Sequence, residues 1–186
     1  MKKTIGAPGS LALLLLLAAC ATPGAVPDVA VKGTQCGPCC DRDPAAAAAA
    51  TQGVSAANPA NPYTGKDAYA NVVVAAGTVL YALTPGEPPG FAVTERTLRD
   101  AQGDWRRYYA LVQVTTDPGV DETGAPRRLR EQVRAYRVPE ALCAARGTAR
   151  ANPQFGPGGG TQYYVLRADA ARLIPGAIAP LSQWQP

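Results

Sequence analysis

Residues 152–164, Asn-Pro-Gln-Phe-Gly-Pro-Gly-Gly-Gly-Thr-Gln-Tyr-Tyr, gather the residue types best suited to chemistry in this chain. Three consecutive glycines, Gly158, Gly159 and Gly160, permit positive φ and let another group approach the backbone closely. Gln162 places an amide, donor and acceptor together, at the exit of that loop. The rings of Phe155, Tyr163 and Tyr164 surround it. Such a loop suits a flat, polar, phosphate-bearing ligand, and a wide turn is the plainer use of the same residues.

Composition narrows the chemistry. The 186 residues contain no His, so acid–base work must fall to Asp, Glu, Tyr or Cys, and a His-ligated metal is excluded. No metal site is expected. The formal charge is +4, of which Lys2 and Lys3 supply two. So small a balance argues against a dedicated nucleic-acid binder. The glycines do not follow Rossmann spacing, and no Lys completes a P-loop.

The first residues read as an address. Met1-Lys2-Lys3 is a positive n-region, and Leu11 to Leu17 is an apolar run of signal-peptide length, too short to span a bilayer. Leu17-Ala18-Ala19-Cys20 resembles a bacterial lipobox, whose cysteine receives diacylglycerol. The resemblance implies that residues 1–19 are removed and that Cys20 anchors the protein to a membrane of the cell envelope. Ala21 rather than Asp after Cys20 favours the outer membrane.

Residues 20–67 read as a disordered, Ala-, Pro- and Gly-rich tether. The alanine run Ala45–Ala50 is too short to hold a helix alone. Within the tether, Cys36-Gly37-Pro38-Cys39-Cys40 resembles a thioredoxin redox motif but lacks the flanking strand and helix. A Cys-only zinc site would need Cys143 as its fourth ligand, and an oxidising envelope favours disulfides instead. With Cys20 lipidated, Cys36, Cys39, Cys40 and Cys143 allow three pairings. Tethering through Cys143 and a buried free Cys143 both stay open.

Residues 68–186 read as one α+β domain, mostly β with short helices. Val72–Leu83 predicts one or two strands interrupted at Gly77. Thr94 is placed to cap a helix from Glu95 to Gln102, closed by Gly103. Arg106–Thr115 alternates as a strand, and Leu129–Val138 gives a second, ended by Pro139. Pro139–Ala145 predicts a short helix, Thr161–Arg167 a strand, and Ala168–Ile174 a last helix before a Pro-rich tail.

Several segments occur in a telling order: Gly77-Thr78-Val79-Leu80-Tyr81, Gly90-Phe91, Tyr136-Arg137-Val138-Pro139-Glu140, the 152–163 loop, and Leu173-Ile174-Pro175-Gly176. Together they resemble the NAD glycohydrolase domain of bacterial polymorphic toxins, of the tuberculosis-necrotizing-toxin type. The resemblance implies an ADP-ribosyltransferase-like domain that takes NAD as substrate, not as a resident cofactor, and breaks its nicotinamide–ribose bond. It implies that Gln162 orients the ribose or the attacking water, and that Gly158, Gly159 and Gly160 admit the dinucleotide. Tyr81, Phe91 or Phe155 would stack on a ring. Ala82 stands where an Arg after Tyr81 is expected, with Arg96 or Arg137 as substitutes for the phosphate contact. A catalytically silent relative is the alternative, as is an envelope lipoprotein that binds a protein partner or is purely structural. The Arg-rich stretches Arg106-Arg107 and Arg127-Arg128-Leu129-Arg130 would then meet an acidic partner or form a solvated face.

Overall fold

In the computed structural model the described residues are 29–30, 37–52, 67–85, 89–114, 116, 119–120, 122–126, 128–152 and 155–186. The expected signal peptide, residues 1–19, and the expected lipidation site Cys20 therefore lie outside the described residues. Among the described helices none is long and apolar enough to cross a membrane.

The described strands are β1 Val29–Ala30, β2 Tyr69–Val74, β3 Val79–Thr84, β4 Phe91–Val93, β5 Gln132–Arg137, β6 Leu142–Thr148, β7 Thr161–Val165 and β8 Ile174–Pro180. They form one sheet in the order β1-β2-β6-β7-β4-β3-β5-β8, with every pairing antiparallel. The helices are α1 Pro44–Thr51, α2 Glu95–Asp100, α3 Trp105–Val112 and α4 Arg167–Ala170. The α+β expectation holds.

Strand alternation divides the core between the two faces of the sheet. Leu80, Ala82, Tyr136, Val138, Tyr163 and Val165 pack on one face with Ala170 and Leu173. Val93 and Val133 pack on the other with Leu98, Tyr108, Tyr109, Val112 and Trp184, beneath α2 and α3. Registry sets Gln162 opposite Val93, Tyr164 opposite Phe91, and Gly147 opposite both Gln162 and Tyr69. Tyr69, Phe91, Val93 and Gln162 thus share the second face.

Three elements differ from expectation. Residues 105–112 form α3, not a strand. Its Tyr and Val content suggested β structure, but Tyr108, Tyr109 and Val112 bury at helical spacing. Asp104 caps it, its carboxylate accepting from the N–H of Arg106 (2.8 Å) and of Arg107 (3.4 Å). Asp104→Ala should cost about 1 kcal/mol, read as a lower urea midpoint with unchanged slope. The 139–145 segment is not a helix: Leu142–Ala145 begin β6, which pairs on both sides with β2 and β7. Two ladders outweigh the modest helical preference of its alanines. The expected tail is β8, an edge strand, where Pro175 and Pro180 are tolerated.

The described part of the expected tether, residues 37–52, is folded onto the domain. The alanine run is α1, with Pro44 at its first turn and Asp43 as cap. The Ala46 N–H, then the Asn71 amide, hold the Asp43 carboxyl below the usual carboxylate range. Asn71 Oδ1 accepts from the Ala45 N–H at 2.8 Å, fixing the helix to β2. Arg42 pairs with buried Asp169 of α4. Cys39 is disulfide-bonded to Cys143, which decides that pairing, and Cys40 is also in a disulfide.

Candidate functional site

A cleft of about 390 Å³ opens on the second face, between the end of α1 and the end of α3. Its walls include Thr51 of α1 and Gln52 just after it, Leu83 from β3, Phe91 and Val93 from β4, Tyr108 and Val112 of α3 and Gln113 just after it, and Gln162 from β7. Arg130 is the charged residue among its described lining residues, which include no carboxylate. That balance favours an anionic ligand.

Gln162 is buried and held on both sides. Its Nε2 donates to Val112 O at 2.8 Å, and its Oε1 lies 3.3 Å from the Tyr69 hydroxyl. Tyr69 belongs to a polar cluster that ends at Asp67. Gln52 Nε2 donates to Asp67 Oδ2 (2.9 Å) and to Tyr69 Oη (3.0 Å), while the Arg150 N–H donates to Asp67 Oδ1 at 2.9 Å. The Tyr69 proton has two acceptors within 3.3 Å, Asp67 Oδ2 and Gln162 Oε1. The carboxylate is the stronger acceptor, so Gln162 Oε1 shares its tyrosine donor with a competing group.

Phe91 stands in the wall, edge-on to Tyr164 with centroids 4.9 Å apart. Burial pushes the Tyr108 hydroxyl well above the ordinary phenol range, so it stays protonated at neutral pH. Arg130 is fixed by its backbone: its N–H donates to Tyr109 Oη and its carbonyl accepts from the same hydroxyl, both at 3.0 Å.

The cleft brings together Gln162 and Phe91 but not the remaining expected ligand contacts. Tyr81 packs edge-on against Trp184 at 5.7 Å, and its hydroxyl is pushed up by burial. Phe155 sits in a turn, its N–H donating to Asn152 O at 2.9 Å. The three glycines are stitched to the protein instead of lining the cleft. The Gly158 N–H donates to Ala110 O (3.2 Å), that of Gly159 to Ala149 O (2.7 Å), and that of Gly160 to Leu111 O (3.0 Å). With those donors occupied, the loop is a brace that holds α3 against the end of β6. Arg96 and Arg137 are exposed and do not line the cleft either.

Gln113, Gln52, Tyr108 and Arg130 were not singled out as site residues by sequence reasoning. Arg130 carries a signal as a member of an Arg-rich stretch, but such a stretch reads as a partner surface or a solvated face. Gln113 had none, because its place depends on a left-handed backbone (φ 58°) that ends α3. Among the described residues no group of acidic, Cys or His side chains is arranged to hold a metal.

The family model described as the Rhs1 C-terminal toxin domain matches residues 40–167. The chain belongs to this family. Its match begins at Cys40, so it includes α1, consistent with the packing of that helix on the sheet. Among solved structures, one titled Rhs1-CT in complex with cognate immunity protein RhsI1 is similar at 27% identity and a TM-score of 0.60. The alignment covers 75% of this chain and 97% of that one. Another, the structure of Tse6 in complex with Tsi6, aligns at 16% identity and a TM-score of 0.39, over 72% of this chain and 92% of that one. No curated protein sequence matches. The Rhs1-type toxin domain thus accounts for most of the chain beyond residue 40.

Proposed function

We propose that this Rhs1-type toxin domain is an NAD glycohydrolase whose site is the cleft between α1 and α3. The observation that carries the proposal is Gln162, buried at the cleft with its amide nitrogen fixed to Val112 O and its oxygen, among the described residues, sharing the Tyr69 proton with Asp67. In the reaction, water oxygen bonds to ribose C1′ as the bond from C1′ to the nicotinamide nitrogen breaks. The ring takes that electron pair and leaves as neutral nicotinamide, and one water proton is released. The state between is oxocarbenium-like and needs orientation and electrostatic support more than a strong nucleophile. Gln162 Oε1 accepts from the attacking water or a ribose hydroxyl, Phe91 stacks on a ring, and Arg130 meets the pyrophosphate. Arg130 takes the place that sequence reasoning offered to Arg96 or Arg137.

The amide of Gln162 also satisfies Val112 O, so its substitution tests chemistry only if folding is followed too. Gln162→Glu should lower nicotinamide release about 100-fold or more, on the scale of losing one positioned polar group in a transition state. The measurement is nicotinamide by chromatography, with thermal unfolding in parallel. Unchanged turnover in a folded variant would remove Gln162 from the mechanism.

The solved Rhs1-CT neighbour is in complex with its cognate immunity protein. By that likeness this domain also has a protein partner that neutralises it. Lipidation at Cys20 would place the assembly on the outer membrane.

A further inference from the structure

Gln113 lies on the cleft wall with its side chain almost wholly buried, and its Oε1 has no hydrogen-bond partner among the described residues. Its Nε2 donates to two carbonyls, Ala110 O at 2.8 Å and Gly156 O at 3.3 Å. Turning the amide over would set its oxygen against both carbonyl oxygens, so the orientation is fixed with the acceptor free. A buried acceptor left without a donor is costly, and a bound ligand that supplies an N–H removes the cost. Gln113 directly follows Val112, whose carbonyl holds the Gln162 amide. Gln113 and Gln162, the residue assigned to the scissile ribose, line the same cleft.

We propose that Gln113 Oε1 accepts the N–H of the nicotinamide carboxamide and so makes the site select an amide over a carboxylate at that position. This inference rests on the NAD glycohydrolase reading and deepens it. The brace formed by the glycine loop gains a role in it: Gly156 O is one of the two carbonyls that hold the Gln113 amide nitrogen and so keep its buried oxygen as the free acceptor. A carboxylate on the pyridine ring would present lone pairs, not a donor, to that oxygen. Sites built to hydrogen-bond a substrate group reject analogues lacking it far more strongly than sites that measure only shape.

The test compares kcat/KM for NAD and for nicotinic acid adenine dinucleotide, which differ only in that group. The intact chain should favour NAD by about 100-fold or more. Gln113→Met, close in shape and without the acceptor, should narrow the preference to within about tenfold, mainly by slowing NAD. A purely structural loss would slow both substrates alike and leave the ratio intact, which would overturn the inference. Should the variant fail to fold, product inhibition of the unaltered chain decides: nicotinamide should inhibit and nicotinate should not. Equal rates on both dinucleotides, or equal inhibition by both products, would overturn it. If the chain turns over neither dinucleotide, the glycohydrolase reading fails separately. Equilibrium binding of the two then addresses Gln113 alone: preference for the amide supports its role, while equal binding or none ends it.

Discussion

Removing the Cys39–Cys143 bridge should lower the unfolding free energy by about 3 kcal/mol, one of the largest single losses in the protein. The bond joins residues 104 apart in sequence. Closing so long a loop in the unfolded chain carries an entropic stabilisation of about 4–5 kcal/mol in the loop-closure model, and measured values usually fall at 2–4. The segment's other ties are polar: Asn71 to the Ala45 N–H, Arg42 to Asp169, and Gln52 to Asp67 and Tyr69. α1 offers alanine side chains to the sheet, and a helix of eight residues does not persist without tertiary contacts. The consequence reaches the cleft, because Thr51 and Gln52 at the end of α1 line its wall. The double variant Cys39→Ala/Cys143→Ala should show the loss in guanidinium unfolding, and reductant should move the unaltered chain the same way. A denaturation midpoint insensitive to both would show that α1 is held by other means.

Gly158→Ala should destabilise by about 3 kcal/mol or more, while its neighbour Gly159→Ala costs only about 1. Both glycines have positive φ, 66° and 94°, where an L side chain is strained. What separates them is space. A Cβ on Gly158 would stand 2.4 Å from Ala149 O and 2.5 Å from Arg150 O, both main-chain atoms that cannot swing aside. A Cβ on Gly159 meets nothing within 4 Å. The Gly158 change must therefore break the brace between α3 and β6 and disturb the backbone that positions Gln113. Denaturant unfolding of the two variants gives the ranking. Equal losses, or the reverse order, would mean that the loop does not pack as described.

These two predictions concern features that the sequence revealed unevenly. The glycine run announced a backbone that must come close to something, and it does. In the structure the close neighbours are the carbonyls of Ala149, Arg150 and Leu111, and no local pattern distinguishes such a packing role from ligand contact. Strands with clear alternation and turn punctuation, such as β3, β5 and β7, were legible. Residues 105–112 were not, because Tyr and Val favour strands while burial at positions 108, 109 and 112 is helical. Residues 142–145 misled in the opposite sense: alanines that favour a helix fill a strand paired on both edges. The alanine run of α1 looked too short to fold alone, and it is; β2, β6 and a disulfide supply what it lacks.

Gln162 and Phe91, expected from family likeness, both line the cleft. Gln113 and Arg130 were not expected there, since each is placed by a long-range contact: Gly156 O holds one amide, and the Tyr109 hydroxyl holds the backbone of the other. Tyr81 illustrates the converse. An aromatic in a motif resembling a nucleotide-facing turn serves the core beside Trp184.

The measurement that bears most directly on the central claim is nicotinamide release when the purified, oxidised chain is incubated with NAD. The account predicts one nicotinamide and one ADP-ribose formed per NAD lost, with no metal added. Intact NAD after prolonged incubation with a folded chain, together with no detectable NAD binding, would contradict it.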